Sequence, residues 1–181
     1  MFSLKSNLES VDFALQSLKV SLKSFIPYVN SPNKSNSSKM LNAANLAGEA
    51  INISKTTAPH ALSYPFTAYY KISHGHAVSL TFNEILKYNY QNLKNSLSSF
   101  DLNTRFQMLF KLTNTQNLKE LDKFFMDMKK QAKIKDTFSD LNIDIKKDIK
   151  KIINDINAQR LANNPVRIDL EDINKILLNK Q

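Results

Sequence analysis

Residues 8–25 read LESVDFALQSLKVSLKSF, and this stretch decides the fold class. Leu8, Val11, Leu15, Leu18, Leu22 and Phe25 recur at steps of three and four, the period of one face of an α-helix. Just ahead, Ser6-Asn7-Leu8-Glu9 has the pattern of a capping box, in which Ser6 accepts from the Glu9 amide and Glu9 reaches back. Pro27 is expected to end this helix, since its ring removes a donor and crowds the preceding turn. Residues 30–38 are polar, carry Pro32, and read as a loop.

The same period continues outward. A second helix is expected over about 38–54, with a face of small residues: Ala43, Ala44, Ala47, Gly48 and Ala50. Glycine inside a helix costs roughly 1 kcal/mol against alanine, so Gly48 suggests close approach by another helix or by a ligand. Thr57 is a plausible N-cap, with Pro59 in the first turn, where its absent N–H costs nothing. That helix reaches about residue 70 and is interrupted near Ser73-His74-Gly75. The next carries Val78, Leu80, Phe82, Ile85, Leu86 and Tyr90. Further helices are expected at about 102–112, 118–130, 143–156 and 170–179, the last started by Asp169 with Asp172 three residues on. The alternation of strands is absent, so the chain reads as all-α, a single helical domain over 1–181.

Composition removes several function classes. Hydrophobic residues make up 42% and charged residues 23% of 181, the balance of a globular protein. No apolar run approaches the roughly 20 residues that cross a bilayer. The opening Met1-Phe2-Ser3-Leu4-Lys5 lacks the features of a signal peptide, so a cytoplasmic location away from membranes is expected. Cysteine is absent, which rules out disulfides and thiolate ligands. Gly48 and Gly75 are the only glycines, too few for a phosphate-cradling loop, so this stretch holds no cofactor-binding site for a nucleotide. The net charge of +9 raises nucleic acid as a partner. The lysines are instead spread along helices, and Asp144, Asp148 and Asp155 interrupt Lys146-Lys147 and Lys150-Lys151. Solvated helix faces explain them, and no nucleic-acid partner is expected.

All three histidines fall between residues 60 and 76: His60, His74 and His76. Neutral imidazole is a common ligand of iron, zinc and copper. A helix–turn–helix could bring His60 and His74 to one point, although two clustered histidines equally suit surface or core positions. A catalytic ion usually takes three or four protein groups. Glu49 and Glu84, the nearest carboxylates in sequence, are not obviously placed to complete a shell. Nucleophilic catalysis lacks its parts, with no G-x-S-x-G elbow and no base beside Ser54 or Ser63.

Three segments carry a family resemblance. Residues 43–51, residues 58–65 (Ala-Pro-His-Ala-Leu-Ser-Tyr-Pro) and residues 73–77 (Ser-His-Gly-His-Ala) resemble the iron-containing alcohol dehydrogenases, closest to the branch that includes phosphonoacetaldehyde reductases. The ending Asn157-Ala158-Gln159-Arg160-Leu161-Ala162-Asn163-Asn164-Pro165 is similar too. The resemblance implies a helical bundle like that family's C-terminal metal-binding domain, a dehydroquinate synthase-like arrangement. It implies His60 and His74 as ligands of a divalent metal, iron first and zinc as the alternative, with Gly48, Tyr64 and His76 lining the site. Many members carry another histidine four residues after the first; here Tyr64 stands there.

Such enzymes exchange hydride between NAD(P) and a small alcohol or aldehyde on a separate N-terminal nucleotide-binding domain. That half and its ligating aspartate are expected upstream of Met1. The chain then reads as a truncated part of an oxidoreductase of phosphonate metabolism, inactive alone and working with a separately supplied N-terminal half. The alternative is a stand-alone helical interaction module, or a remnant without catalysis. The face around Gly48, His60, Tyr64 and His74 is expected to be unusually exposed and to favour self-association.

Overall fold

A computed structural model describes residues 1–180; Gln181, the last residue of the expected domain, lies outside them. Among the described residues nine α-helices follow in order: α1 (Leu8–Asn30), α2 (Lys34–Ser54), α3 (Ala58–Tyr70), α4 (His74–Gln91), α5 (Leu102–Thr113), α6 (Leu118–Gln131), α7 (Ile145–Asn154), α8 (Ala158–Leu161) and α9 (Leu170–Leu178). Among the described residues there is no β-strand, only an isolated bridge between Ser96 and Val166. The all-α expectation holds.

Local chemistry explains most of the starts. Asn7, Asn33, Asp101, Asn117, Asp144, Asn157 and Asp169 each accept a hydrogen bond from an amide of the following first turn. The two helices without such a cap are α3, opening on Thr57, and α4, opening on Ser73. These are the helices that carry His60 and His74.

Several boundaries differ from the sequence reading. The capping box pairs Asn7 with Ser10, one residue later than Ser6 and Glu9, because the Asn7 carboxamide and Ser10 hydroxyl satisfy both amides at 2.9 Å. Pro27 does not end α1, which runs on to Asn30. Pro27 and Lys23 are both exposed, so water replaces the one bond the ring removes. Helix α2 begins four residues before residue 38, since Asn33 and Asn36 form a reciprocal cap inside the polar run 30–38. Helix α7 is shorter than expected, with Asp144 capping it and Ile143 buried in the approach.

The buried face of α1 is not its leucine stripe. Leu8 is 85% exposed, while Ser10, Val11, Ser17 and Ser24 are buried. Ser17 donates to the Ala43 carbonyl of α2 at 2.7 Å. In an antiparallel pair this register puts Ser10 level with Ala50 and Ser24 level with Asn36, and all of these are buried. Small side chains seven residues apart let the two backbones approach, a fit that leucine would prevent. Part of the small face of α2 serves this packing. Gly48 does not: it is exposed, and a Cβ there would meet nothing within 4 Å.

Two apolar clusters hold the rest. Leu62, Phe66, Leu80, Ile85, Phe138, Ile145, Ile152, Ile173 and Leu177 join α3, α4, α7 and α9. Leu86, Leu102, Phe106, Leu109, Phe110 and Leu121 join α4 to α5 and α6. Helix α4 contributes to both, which fixes its position and leaves its first turn at the surface. Lysine is not confined to solvated faces: Lys129 is buried, its ammonium donating to Asp136 and to the Ser79 carbonyl, each at 2.7 Å.

Candidate functional site

His60 lies in the first turn of α3 and His74 is the first residue of α4. The link between these helices turns on Lys71, which takes a left-handed conformation (φ 56, ψ 25). Ile72 then tucks into the core. This return sets His74 against Ser63 and Tyr64 rather than against the end of α3. The two imidazole centres are 5.4 Å apart with their planes at 57°. The Tyr64 ring lies 5.7 Å from that of His74.

Each imidazole is prepared differently. Burial, then the neighbouring His74 and Arg160, lowers the His60 pKa to about 4, so His60 is neutral at pH 7. Ser63 fixes the tautomer of His74. Its hydroxyl donates to the His60 carbonyl at 2.8 Å, which uses its only proton. In the Ser63 Oγ···His74 Nδ1 contact at 3.3 Å, Nδ1–H is therefore the donor, which leaves the Nε2 lone pair free.

These features fit a shared metal ion. With a metal–nitrogen distance of about 2.1 Å, two imidazoles on one ion have ring centres roughly 4.5–5.3 Å apart at ordinary coordination angles. The observed 5.4 Å is close to that range. Among the described residues no cluster of three or more His, Cys, Asp or Glu is formed, and the pair alone falls short of the three or four protein groups that a catalytic ion usually takes.

Of the other expected lining residues, only Tyr64 touches the pair. His76 is two positions along α4 from His74 and faces elsewhere, as i and i+2 positions must. Its Nε2 meets the Lys135 carbonyl at 2.6 Å, in an apolar hollow with Phe25, Phe82 and Phe125. Gly48 lines a separate, polar hollow with Lys5, Lys55, Thr56 and Arg160. Of the apolar hollows, one lies between α1 and α5, one is that of His76, and a third is lined by His60 with Ala50, Ile51 and Thr56.

Two residues near the pair carry no motif that marks them in the sequence. Ser63 has no base beside it in the sequence. Arg160 was only part of a matching run, yet its guanidinium lies 5.3 Å from the Tyr64 ring centre and donates to the Thr56 hydroxyl. The available signal was rarity, since only Arg105, Arg160 and Arg167 stand among 25 basic residues. An arginine kept in a lysine-rich chain suggests a need for its planar fork.

Comparison with known proteins identifies the family and the fold. Residues 3–180 match the family described as the Fe-containing alcohol dehydrogenase family, C-terminal. Over 48 residues the chain is 42% identical to the phosphonoacetaldehyde reductase of Streptomyces viridochromogenes, a stretch covering 26% of this chain and 12% of that protein. The fold matches the sulfoacetaldehyde reductase of Bifidobacterium kashiwanohense in complex with NAD+, with a TM-score of 0.83 and 23% identity. That match covers 99% of this chain and 46% of the other. The alcohol dehydrogenase of Oenococcus oeni gives 0.84 and 22%, covering 99% and 47%. The chain thus spans less than half the length of these solved structures, and at such identities they show the fold alone. Among the described residues no helix is long and apolar enough to cross a membrane. With the family match running over nearly the whole sequence, this chain belongs to the Fe-containing alcohol dehydrogenase family, as its C-terminal helical domain.

Proposed function

We propose that this chain is the metal- and substrate-facing part of an NAD(P)-dependent alcohol dehydrogenase or aldehyde reductase, with His60 and His74 as two ligands of a divalent metal. Iron is the metal the family name suggests, and zinc suits the same donors. The observation that carries the reading is the His60–His74 pair at 5.4 Å, with the His60 pKa lowered by burial and the His74 Nδ1 3.3 Å from the Ser63 hydroxyl. The remaining ligands and the nicotinamide site belong to sequence outside these 181 residues, supplied by a nucleotide-binding half that precedes this one or joins it as a separate chain.

When bound, the metal supplies Lewis acidity toward the oxygen of a carbonyl or alkoxide. The chain's own residues prepare its seat. His60 needs no deprotonation at neutral pH, so metal does not compete with a proton there. Ser63 holds the His74 ring through Nδ1, the kind of support that orients a ligating imidazole. Tyr64 covers one side of that ring and narrows the approach. The substrate is a small aldehyde or alcohol, and the 48-residue likeness to a phosphonoacetaldehyde reductase favours one carrying a phosphonate.

Paramagnetic Co2+ tests the ligand assignment by NMR. It is expected to broaden the ring signals of His60 and His74 together and to spare His76. His60→Ala and His74→Ala should each abolish the effect without loss of helical circular dichroism. Broadening of His76 instead, or of His60 and His74 at unrelated metal concentrations, overturns the assignment.

A further inference from the structure

We propose that Arg160, with Lys5 and Lys55, binds the tetrahedral oxyanion of a small aldehyde carrying a phosphonate or sulfonate group, and so selects the substrate of the His60–His74 site. This rests on the functional reading above and adds a residue-level recognition site to it. The hollow concerned has a volume of about 500 Å³ and is lined by Lys5, Gly48, Lys55, Thr56, Gln159 and Arg160 among others. Three of its lining residues are cations and none is a carboxylate.

Arg160 is the centre of the cluster because its charge is half-buried and has no partner. Among the described residues it forms no ion pair, whereas the buried Lys129 is held by Asp136. One N–H goes to the neutral Thr56 hydroxyl, and one face of the guanidinium covers Tyr64. Several of its five donors remain for an anion that can take two at once, as a phosphonate or sulfonate does. Half-burying a guanidinium without an anion is unfavourable, and a bound oxyanion relieves that cost.

Position links the cluster to the chemistry. Arg160 contacts the Tyr64 ring at 5.3 Å, and Tyr64 contacts His74 at 5.7 Å, so the guanidinium lies within about 11 Å of the imidazole. A two-carbon aldehyde can bridge that span with its headgroup at one end and its carbonyl at the other. Lys55 and Thr56 line both this hollow and the neighbouring one that contains His60. Gly48 keeps the hollow open: it lies in the lining, and a side chain there would project into unfilled space.

The test uses the whole chain at low ionic strength, with calorimetry of ethylphosphonate, ethanesulfonate, neutral 1-propanol and ADP. Both small anions are expected to bind at one site, with no saturable binding of 1-propanol. Arg160→Met should weaken ethylphosphonate at least about tenfold, the scale of a charge-assisted bidentate contact. Gly48→Leu, which improves helix propensity, should weaken it similarly by filling the hollow, and provides the answer should Arg160→Met not fold. Lys146→Met, which removes an exposed charge elsewhere, should change nothing. Equal binding by the Arg160→Met or Gly48→Leu protein, or binding of 1-propanol as tight as ethylphosphonate, overturns the proposal. So does ADP binding at least tenfold tighter than ethylphosphonate and lost in Arg160→Met, which would make the cluster a nucleotide-phosphate site. A parallel Zn2+ titration followed on His60 and His74 separates the two ideas. Metal uptake without anion binding sinks this proposal alone, and anion binding without metal uptake sinks the functional reading while leaving the cation site.

Discussion

The side-chain amide of Asn163 donates to the Thr56 carbonyl at 2.9 Å, across 107 positions of sequence. The same amide also reaches the Ser54 carbonyl at 3.0 Å, and the Asn163 Oδ1 accepts from the Lys5 amide at 3.3 Å. Ser3 donates to Ser54 as well. Three distant segments are thereby tied beneath the first turn of α3, where His60 sits. The adjacent Asn164 exchanges hydrogen bonds with Asn89, anchoring the same connection to α4.

Replacing Asn163 by alanine removes two donors from buried carbonyls. The expected loss is about 2 kcal/mol, because a buried acceptor left without a partner costs its desolvation. Urea unfolding measures it. Amide exchange at the start of α3 should rise with it, and an unchanged unfolding midpoint would show that the knot contributes nothing.

The pH dependence of stability follows from His60. Its folded pKa is lowered to about 4 from the ordinary 6.5, mainly by burial. The unfolded chain therefore binds the extra proton first, and stability rises with pH between these values. The contribution is present above about pH 6.5 and is lost as pH falls toward 4. Urea midpoints at pH 7 and pH 4.5 should differ for the native chain and differ less for His60→Gln. A His60 ring titrating near 6.5 by NMR contradicts this.

Ser63→Ala should loosen His74 without unfolding α3. Once Nδ1 has no hydroxyl to donate to, the ring can take either tautomer and turn. Loss of an outer hydrogen bond of this kind lowers metal affinity by about tenfold or more. Zn2+ calorimetry on both proteins gives the ratio, and equal affinities would remove Ser63 from the site.

Two lysine–aspartate pairs should behave oppositely. Asp136→Ala leaves the buried Lys129 charge uncompensated and releases Lys180, which contacts the same carboxylate. A loss of about 3 kcal/mol is expected. Asp127→Ala breaks the exposed pair with Lys123 and should leave the unfolding midpoint in place. Comparable effects from both would show that burial does not set the value of these pairs.

Lys55 ends α2 at φ 58 and ψ −178, a backbone region that glycine tolerates and lysine does not. Lys55→Gly is expected to stabilise the fold by about 1 kcal/mol, the relief of strain exceeding the added freedom of the unfolded chain. It should also weaken ethylphosphonate binding through loss of the charge. Stability and anion affinity measured on one variant are expected to move in opposite directions.

The sequence by itself determined the helices, because their period, caps and breaks act over a few residues. The pairing of Asp169 with Asp172 was visible in this way, and so was the candidacy of His60 and His74. Where competing local signals stand close together, the helix start is ambiguous by a residue or a turn, as at Ser6 against Asn7 and at the polar start of α2. Only the tertiary structure decided which face of α1 is buried, since hydrophobic period favours Leu15 and Leu22 while close backbone approach favours Ser17 opposite Ala43. It also decided that His74 joins His60 while His76 points to another hollow, and that Arg160 comes beside Tyr64 from almost a hundred residues away. Those outcomes depend on how far the chain turns at Lys71 and on which segments Asn163 ties together, and contacts of that range leave no periodic trace in the order of residues.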